Sequence, residues 1–191
     1  MRKLKLQVQM SVDGFVAGPN GELDWMMFSN TKDDKLSEYV NALTDSSDTI
    51  LLGRKMTDGF VNYWTSVLDN PESPEYSFAR KMVDTPKVVF SKTVRESIWA
   101  NTTVANGELV EEVEKLKQKD GKDIIVYGGA TFVSNLIKEN LIDEFHLAIN
   151  PAAIGRGLTI FGNLEDRLKL KLVQSNTFSG GKVVNHYEPE K

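Results

Sequence analysis

The sequence predicts an α/β fold, a mixed sheet with helices on both faces that becomes antiparallel at its end. Two observations carry this. Short apolar runs rich in β-branched residues, at 48–52 (DTILL), 87–90 (KVVF) and 124–127 (IIVY), read as strands buried on both faces, and helical patterns lie between them. The last quarter changes character. Residues 168–176 (LKLKLVQSN) alternate polar and apolar, Ser179-Gly180-Gly181-Lys182 is a turn, and 183–188 completes a hairpin.

The elements follow in order. Residues 3–10 (KLKLQVQM) form a strand with Leu4, Leu6, Val8 and Met10 on one face. Ser11-Val12-Asp13-Gly14 is a turn in which Asp13 braces local N–H groups, and Phe15-Val16-Ala17 returns to an extended run. After the turn at 18–21, the cluster Trp25, Met26, Met27 and Phe28 either fills the core or lines an apolar pocket. Asn30 or Thr31 is positioned to cap a helix over 33–43 whose stripe is Leu36, Tyr39, Val40 and Leu43. Asp33 and Asp34 fall in its first turn, where the helix dipole alone accounts for them. The strand at 48–52 runs into Gly53-Arg54-Lys55-Met56-Thr57, which opens a helix carrying Met56, Phe60, Val61 and Trp64. A polar loop over 69–76 precedes a short helix with Phe78, Met82 and Val83. A short strand at 102–105 leads to a helix over 107–119 with Leu109, Val110, Val113 and Leu116 inward. The strand at 124–127 passes through Gly128-Gly129-Ala130-Thr131 into a helix ending near 139. Residues 144–150 (EFHLAIN) form a strand ended by Pro151, with His146 a packed or hydrogen-bonded sheet residue rather than a catalyst.

At 191 residues, with no internal repeat, the chain makes one domain spanning 1–191. It has no cysteine, which removes disulfides, thiolate metal sites and cysteine nucleophiles and fits a cytoplasmic protein. His146 and His186 are far apart in sequence, which argues against a multi-histidine metal site. No apolar run approaches the roughly 20 residues of a membrane span, and the N-terminus lacks a signal segment. A net charge of −4 argues against a nucleic-acid surface, so an anionic ligand needs a local cluster of positive charge. Three strand ends offer one: Gly53-Arg54-Lys55, Ser91-Lys92-Thr93 and Gly128-Gly129-Ala130-Thr131. In open parallel sheets ligands bind outside the carboxyl ends of strands, and a helix N-terminus holds phosphate. Singly, each motif also serves as an ordinary strand-to-helix turn that binds nothing.

Five stretches occur in order at plausible spacing: residues 11–17 (SVDGFVA), 52–56 (LGRKM), 89–93 (VFSKT), 127–130 (YGGA) and 143–147 (DEFHL) leading to Pro151 and Gly155-Arg156-Gly157. Together they resemble the dihydrofolate reductase-like superfamily over nearly the whole chain. The branch they resemble carries the C-terminal reductase domain of the bifunctional riboflavin-biosynthesis deaminase-reductase. The resemblance implies a three-layer αβα sandwich with a mostly parallel sheet, an antiparallel C-terminal hairpin, NADPH as cofactor and dimerisation through the sheet edge. It implies that Arg54, Lys55, Ser91, Lys92 and the adjoining Thr93 meet the 2′-phosphate and nearby phosphates. Gly53, Met56, Gly128, Gly129, Ala130 and Thr131 would hold the pyrophosphate, with a Gly128–Gly129 bond that is cis in the family. Gln9, Val16 and Ala17 would border the nicotinamide.

The departures concern the substrate. The acid that follows a Trp in dihydrofolate reductases has no cleanly spaced counterpart; Asp24 and Asp33 are the catalytic candidates, with Asp34 beside them. The lysine that precedes the Ser-x-Asp-Gly turn in the riboflavin enzyme is Gln7 here. The expected function is NADPH-dependent reduction of a small heterocycle in a pocket of Trp25, Met26, Phe28, Phe60, Tyr63 and Trp64. The riboflavin-pathway pyrimidine comes first among substrates and dihydrofolate second, with an unassigned small molecule as the further alternative. A nucleotide-binding module without turnover is the reading from another class, and a homodimeric protein that has lost the cofactor is the third.

Overall fold

The structure is a computed structural model that describes residues 1–29 and 32–190, the side chains at 28 and 29 excepted. Phe28 and the proposed caps Asn30 and Thr31 lie outside the described side chains. Eight strands form one sheet in the order β4-β3-β2-β5-β1-β6-β8-β7. They are β1 (Leu4–Ser11), β2 (Ser47–Gly53), β3 (Lys87–Phe90), β4 (Thr102–Ala105), β5 (Asp123–Val126), β6 (Glu144–Asn150), β7 (Leu170–Thr177) and β8 (Val183–Pro189). From β4 across to β6 every pairing is parallel; β8 lies antiparallel to both β6 and β7. The helices are α1 (Asp34–Asp45), α2 (Arg54–Val67), α3 (Tyr76–Asp84), α4 (Leu109–Lys117) and α5 (Ala130–Lys138), and 3₁₀ turns occupy Asp24–Ser29 and Ser179–Gly181.

Period-two alternation sorts the core into two layers. Ile50 and Leu52 of β2, Val89 of β3 and Ile125 of β5 pack against Leu43, Phe60 and Met82 from α1, α2 and α3. The intervening Leu51, Ile124 and Val126, with Leu4, Leu6, Val8 and Met10 of β1, pack against Val113 of α4 and Val133, Leu136 and Ile137 of α5. Leu6 pairs with Val126 on one side and Phe145 on the other. Each such fully buried aliphatic side chain stabilises the fold by about 1.5–3 kcal/mol. The result is the three-layer αβα sandwich.

Several local expectations are corrected. Val110 is exposed, because the inward stripe of α4 is Leu109, Val113 and Leu116, and Val110 is rotated about 100° from Leu109. Phe15-Val16-Ala17 makes no strand of its own, only a bridge from Ala17 to Leu158. Asp33 itself caps α1, its carboxylate accepting from the Leu36 N–H at 3.0 Å. Asp13 does more than brace its own turn. It accepts from the Ser11 hydroxyl at 2.6 Å and from the N–H groups of Ile154 and Gly155, joining two loops. Among the described residues all peptide bonds are trans, Gly128–Gly129 included, and no helix is long and apolar enough to cross a membrane.

Candidate functional site

β2 and β5 are neighbours, yet the helices that follow them leave to opposite faces. α2 packs with α1 and α3, and α5 packs with α4. Where adjacent connections diverge in this way, a crevice opens at the carboxyl ends of the strands. A cavity of about 970 Å³ occupies it. Its lining brings together Gln9, Val16, Ala17, Gly53, Arg54, Lys55, Met56, Ser91, Lys92, Thr93, Gly128, Gly129, Ala130 and Thr131. The three strand ends therefore share one cleft, and Gln9 from β1 joins them.

The two glycine turns lie against each other. A Cβ at Gly53 would stand 2.7 Å from Cβ of Phe132, and one at Gly129 would stand 4.0 Å from Gly53 Cα. Gly129 precedes α5 at φ 83°, ψ 89°, a conformation that disfavours any side chain. Neither Gly53 nor Gly129 supplies a side-chain cap, so the first N–H groups of α2 and α5 keep no side-chain acceptor. Arg54, Lys55 and Lys92 line the cavity, and among the described residues no Asp or Glu does. That is a local inversion of the chain's net charge of −4. Arg54 is held in place by Asp58 at 2.9 Å and lies over the Trp99 ring, whose Nε1 donates to the same carboxylate at 3.0 Å. The Arg54 guanidinium and the indole N–H keep Asp58 below the usual carboxylate range. Lys92 meets Glu108 at 2.8 Å in an exposed pair, which is weak. The Ser91 hydroxyl accepts from the N–H groups of Thr93 and Val94 and shapes the loop that presents Lys92.

The apolar wall differs from the one expected. Trp25 is buried, its indole donating to the Glu22 carbonyl. Phe60 stacks on Tyr127 with centroids 6.0 Å apart, and Trp64 sits edge-on to Phe60, Tyr63 and Phe78. Phe60 and Trp64 pack in the layer of α1, α2 and α3, Tyr63 is half exposed, and none of these, nor Trp25, lines the cavity. Leu23, Met26, Tyr127, Leu158 and Ile160 line it. Met26 thus reaches the cavity while its neighbour Trp25 turns inward.

Neither catalytic candidate lines the cavity. Asp24 is exposed in the first turn of its 3₁₀ segment. Asp33 caps α1 and also accepts the Ser179 N–H at 2.6 Å, and these backbone donors, Ser179 first, hold its carboxyl below the usual range. It is ionised at neutral pH and suited to acceptance, not proton donation.

Two residues were missed from sequence. Gln9 Oε1 accepts from Lys182 Nζ at 3.2 Å and from Asn150 Nδ2 at 3.3 Å. Asn150 ends β6 with no exposed surface; Lys182 follows the Gly180-Gly181 tip of the β7–β8 turn, and burial lowers its pKa. A strand ending in Asn before Pro151 was the available hint for Asn150, but nothing local links Lys182 to β1.

Sequence distance also misled about the histidines. β8 returns beside β6 with His186 opposite His146, and the rings stack 4.3 Å apart. His146 Nε2 is 3.3 Å from Glu144, and its Nδ1 is 2.6 Å from the Tyr39 hydroxyl, so the Nδ1-acceptor tautomer satisfies both contacts. The donor atoms of Glu144, His146 and His186 lie within 4.8 Å of one another. Lys3 at 2.6 Å and Lys5 at 3.9 Å already neutralise Glu144, and the rings lie only 16° from parallel. In that tautomer His146 Nε2 carries its proton toward Glu144 and offers no lone pair, so the group reads as a hydrogen-bonded electrostatic cluster.

The family profile described as the RibD C-terminal domain matches residues 2–184. The uncharacterized protein YyaP of Bacillus subtilis (strain 168) is 36% identical over 190 residues, covering 97% of this chain and 95% of its own. Among solved structures, the diaminohydroxyphosphoribosylaminopyrimidine deaminase/5-amino-6-(5-phosphoribosylamino)uracil reductase from Thermotoga maritima has a TM-score of 0.70 at 18% identity, covering 99% of this chain and 57% of that one. Dihydrofolate reductase from Enterococcus faecalis, solved with NADP(H) and RAB-propyl, has a TM-score of 0.64 at 16% identity, covering 99% and 97%. These two likenesses establish a dihydrofolate reductase-like fold.

Proposed function

This chain belongs to the RibD C-terminal domain family, and from that premise we propose that it is an NADPH-dependent reductase acting on a small flat heterocycle. The pyrimidine 5-amino-6-(5-phosphoribosylamino)uracil is the first candidate substrate and dihydrofolate the second. The observation that carries the reading is the carboxylate-free cleft, with Arg54, Lys55 and Lys92 around two helix N-termini that no side chain caps. The residues fit the cofactor: Gly53 packs against Phe132 and Gly129 lies beside Gly53, which brings the uncapped N-termini of α2 and α5 together where a pyrophosphate would meet their N–H groups.

In this reading Gly53, Met56 and Gly128 to Thr131 hold the pyrophosphate. Arg54, Lys55, Ser91, Lys92 and Thr93 hold the 2′-phosphate side. Gln9, Val16 and Ala17 border the nicotinamide, while Leu23, Met26 and Leu158 exclude water. NADPH, when bound, supplies the hydride. No Asp or Glu lines the cavity among the described residues, and in this reading water supplies the proton in place of Asp24 or Asp33. That same absence favours the second reading, a module that binds the nucleotide without turnover. We also propose a homodimer joined along the edge strand β7, where Leu172 and Val173 are half exposed; light scattering that returned a monomer mass would end that proposal.

Calorimetric titration with NADPH and NADH tests the site. The wild type should prefer NADPH, and Arg54→Ala/Lys92→Ala should lose roughly tenfold or more of that preference, the worth of one charged hydrogen bond. If neither nucleotide binds, the reductase reading fails. If NADPH binds and neither pyrimidine nor dihydrofolate oxidises it, the binding module stands.

A further inference from the structure

Gln9 lies on β1 among the polar residues that alternate with its apolar face, and its side chain reaches the cavity at the end assigned to the nicotinamide. Its two amide atoms are not equivalent here. Oε1 meets an ammonium, which has only donors, and the amide nitrogen of Asn150. Asn150 is itself oriented: its Nδ2 also donates to the Met10 and Ala148 carbonyls, both at 3.3 Å. Backbone carbonyls thus turn the Asn150 nitrogen toward Gln9, and Asn150 with Lys182 turns the Gln9 oxygen inward. A flipped Gln9 would set N–H against N–H on both contacts. The Gln9 Nε2 group has no hydrogen-bond partner among the described residues, and Gln9 lines the cleft. Lys182 is half-buried and meets no carboxylate among them, and Gln9 is its one side-chain hydrogen-bond partner there.

We propose that Gln9 is the hydrogen-bond donor that holds a carbonyl oxygen or imine nitrogen of the substrate beside the nicotinamide, with Lys182 and Asn150 as the positioning residues that fix its amide. The proposal rests on the reductase reading for the identity of its neighbour. The substrate class is an electrophilic C=O or C=N in a planar ring system. Hydride from the reduced nicotinamide adds to the carbon, and the π pair moves to the oxygen or nitrogen. Gln9 Nε2–H stabilises the charge developing there, water supplies the proton, and the nicotinamide leaves oxidised. The ammonium on Oε1 polarises the amide and strengthens its N–H groups as donors.

The probe is 5,6-diaminouracil, a flat pyrimidine with two ring carbonyls, titrated into the full-length protein with and without NADP⁺. NADPH is titrated separately. Gln9→Leu should weaken diaminouracil binding about tenfold, as the loss of one good hydrogen bond requires, and by more than it weakens NADPH binding. Lys182→Met should weaken it about threefold to fivefold and Lys182→Arg should restore it, because the guanidinium also donates to Oε1. In ¹⁵N spectra the Gln9 side-chain amide pair, identified by its loss in Gln9→Leu, should shift on adding diaminouracil and shift again in Lys182→Met. Failure of NADPH to bind sinks the cofactor reading alone, since diaminouracil binding to the free protein still reports on the amide. An amide pair that stays in place, wild-type binding by Gln9→Leu, or no diaminouracil binding at all overturns the Gln9 assignment.

Discussion

The two ends of the parallel strands treat their cations differently. At the amino ends Lys5 lies 2.8 Å from Asp123, Lys117 lies 2.7 Å from Asp143, Arg2 pairs with Asp48, and Lys3 pairs with Glu144. Buried Lys87 at the start of β3 donates to the Val83 and Thr85 carbonyls, both at 2.7 Å. At the carboxyl ends, among the described residues, Lys55 and Lys182 meet no carboxylate, and Lys92 and Arg54 hold only exposed partners. The amino end is closed upon itself, and the carboxyl end leaves donors and positive charge facing a cavity. Closed ion pairs and the proposed binding cleft thus lie at opposite ends of the strand axis.

Lys5→Met should break the comparison most severely. It would leave Asp123 and Glu144 short of a counter-charge, and loss of one member of a buried pair typically costs about 3–5 kcal/mol. Urea unfolding should show this loss while NADPH affinity per folded molecule stays the same; an equal fall in both would mean that the two ends are coupled.

Acid should expose the same end. The His146 hydrogen bond, then Lys3 and Lys5, pulls the Glu144 pKa from 4.5 to about 2. Its folded value is depressed, so its contribution is complete above pH 4.5 and is lost as pH falls through about 2. That contribution is about 3 kcal/mol at 1.36 kcal/mol per unit. Denaturation curves between pH 5 and 2 should be flatter for Glu144→Gln, and parallel curves would remove Glu144 from the acid transition.

At the other end the same measurements should invert. Gly129→Ala places a side chain at φ 83° and should cost about 1–3 kcal/mol of stability. It should also depress NADPH binding by far more than its stability loss implies, because it distorts the start of α5. Lys92→Ala should be the mildest, with stability within about 0.5 kcal/mol of wild type and a measurable loss of NADPH preference by calorimetry. A Lys92→Ala protein that melts early would place Lys92 among the structural pairs.

What sequence disclosed follows the same division. The strands at 87–90, 102–105 and 144–150 emerge with the boundaries expected, because a short β-branched run between turn residues leaves few alternatives. Gly53, Ser91 and Gly128 fall at strand ends for the same reason, and parallel topology then gathers them into one cleft. Contacts set by antiparallel return were hidden. His186 beside His146 and Lys182 beside Gln9 depend on the register of β8 against β6, which no local pattern encodes. Trp25, Phe60 and Trp64 were ambiguous in kind, since a large aromatic satisfies a core and a pocket equally well; packing against Tyr127, Phe78 and the Glu22 carbonyl decided for the core.

The turn between β7 and β8 ties the end of the chain to its beginning. Ser179 reaches Asp33, Phe178 meets the Tyr39 ring edge-on, and Lys182 reaches Gln9. During synthesis Gly53, Lys92 and Gly129 leave the ribosome well before Lys182. Under the proposed reading, a nascent chain stopped after β6 would carry the residues assigned to the phosphates, and Asn150, without the ammonium that completes the alignment of Gln9. The cleft as proposed would then be complete only in the final stretch of translation.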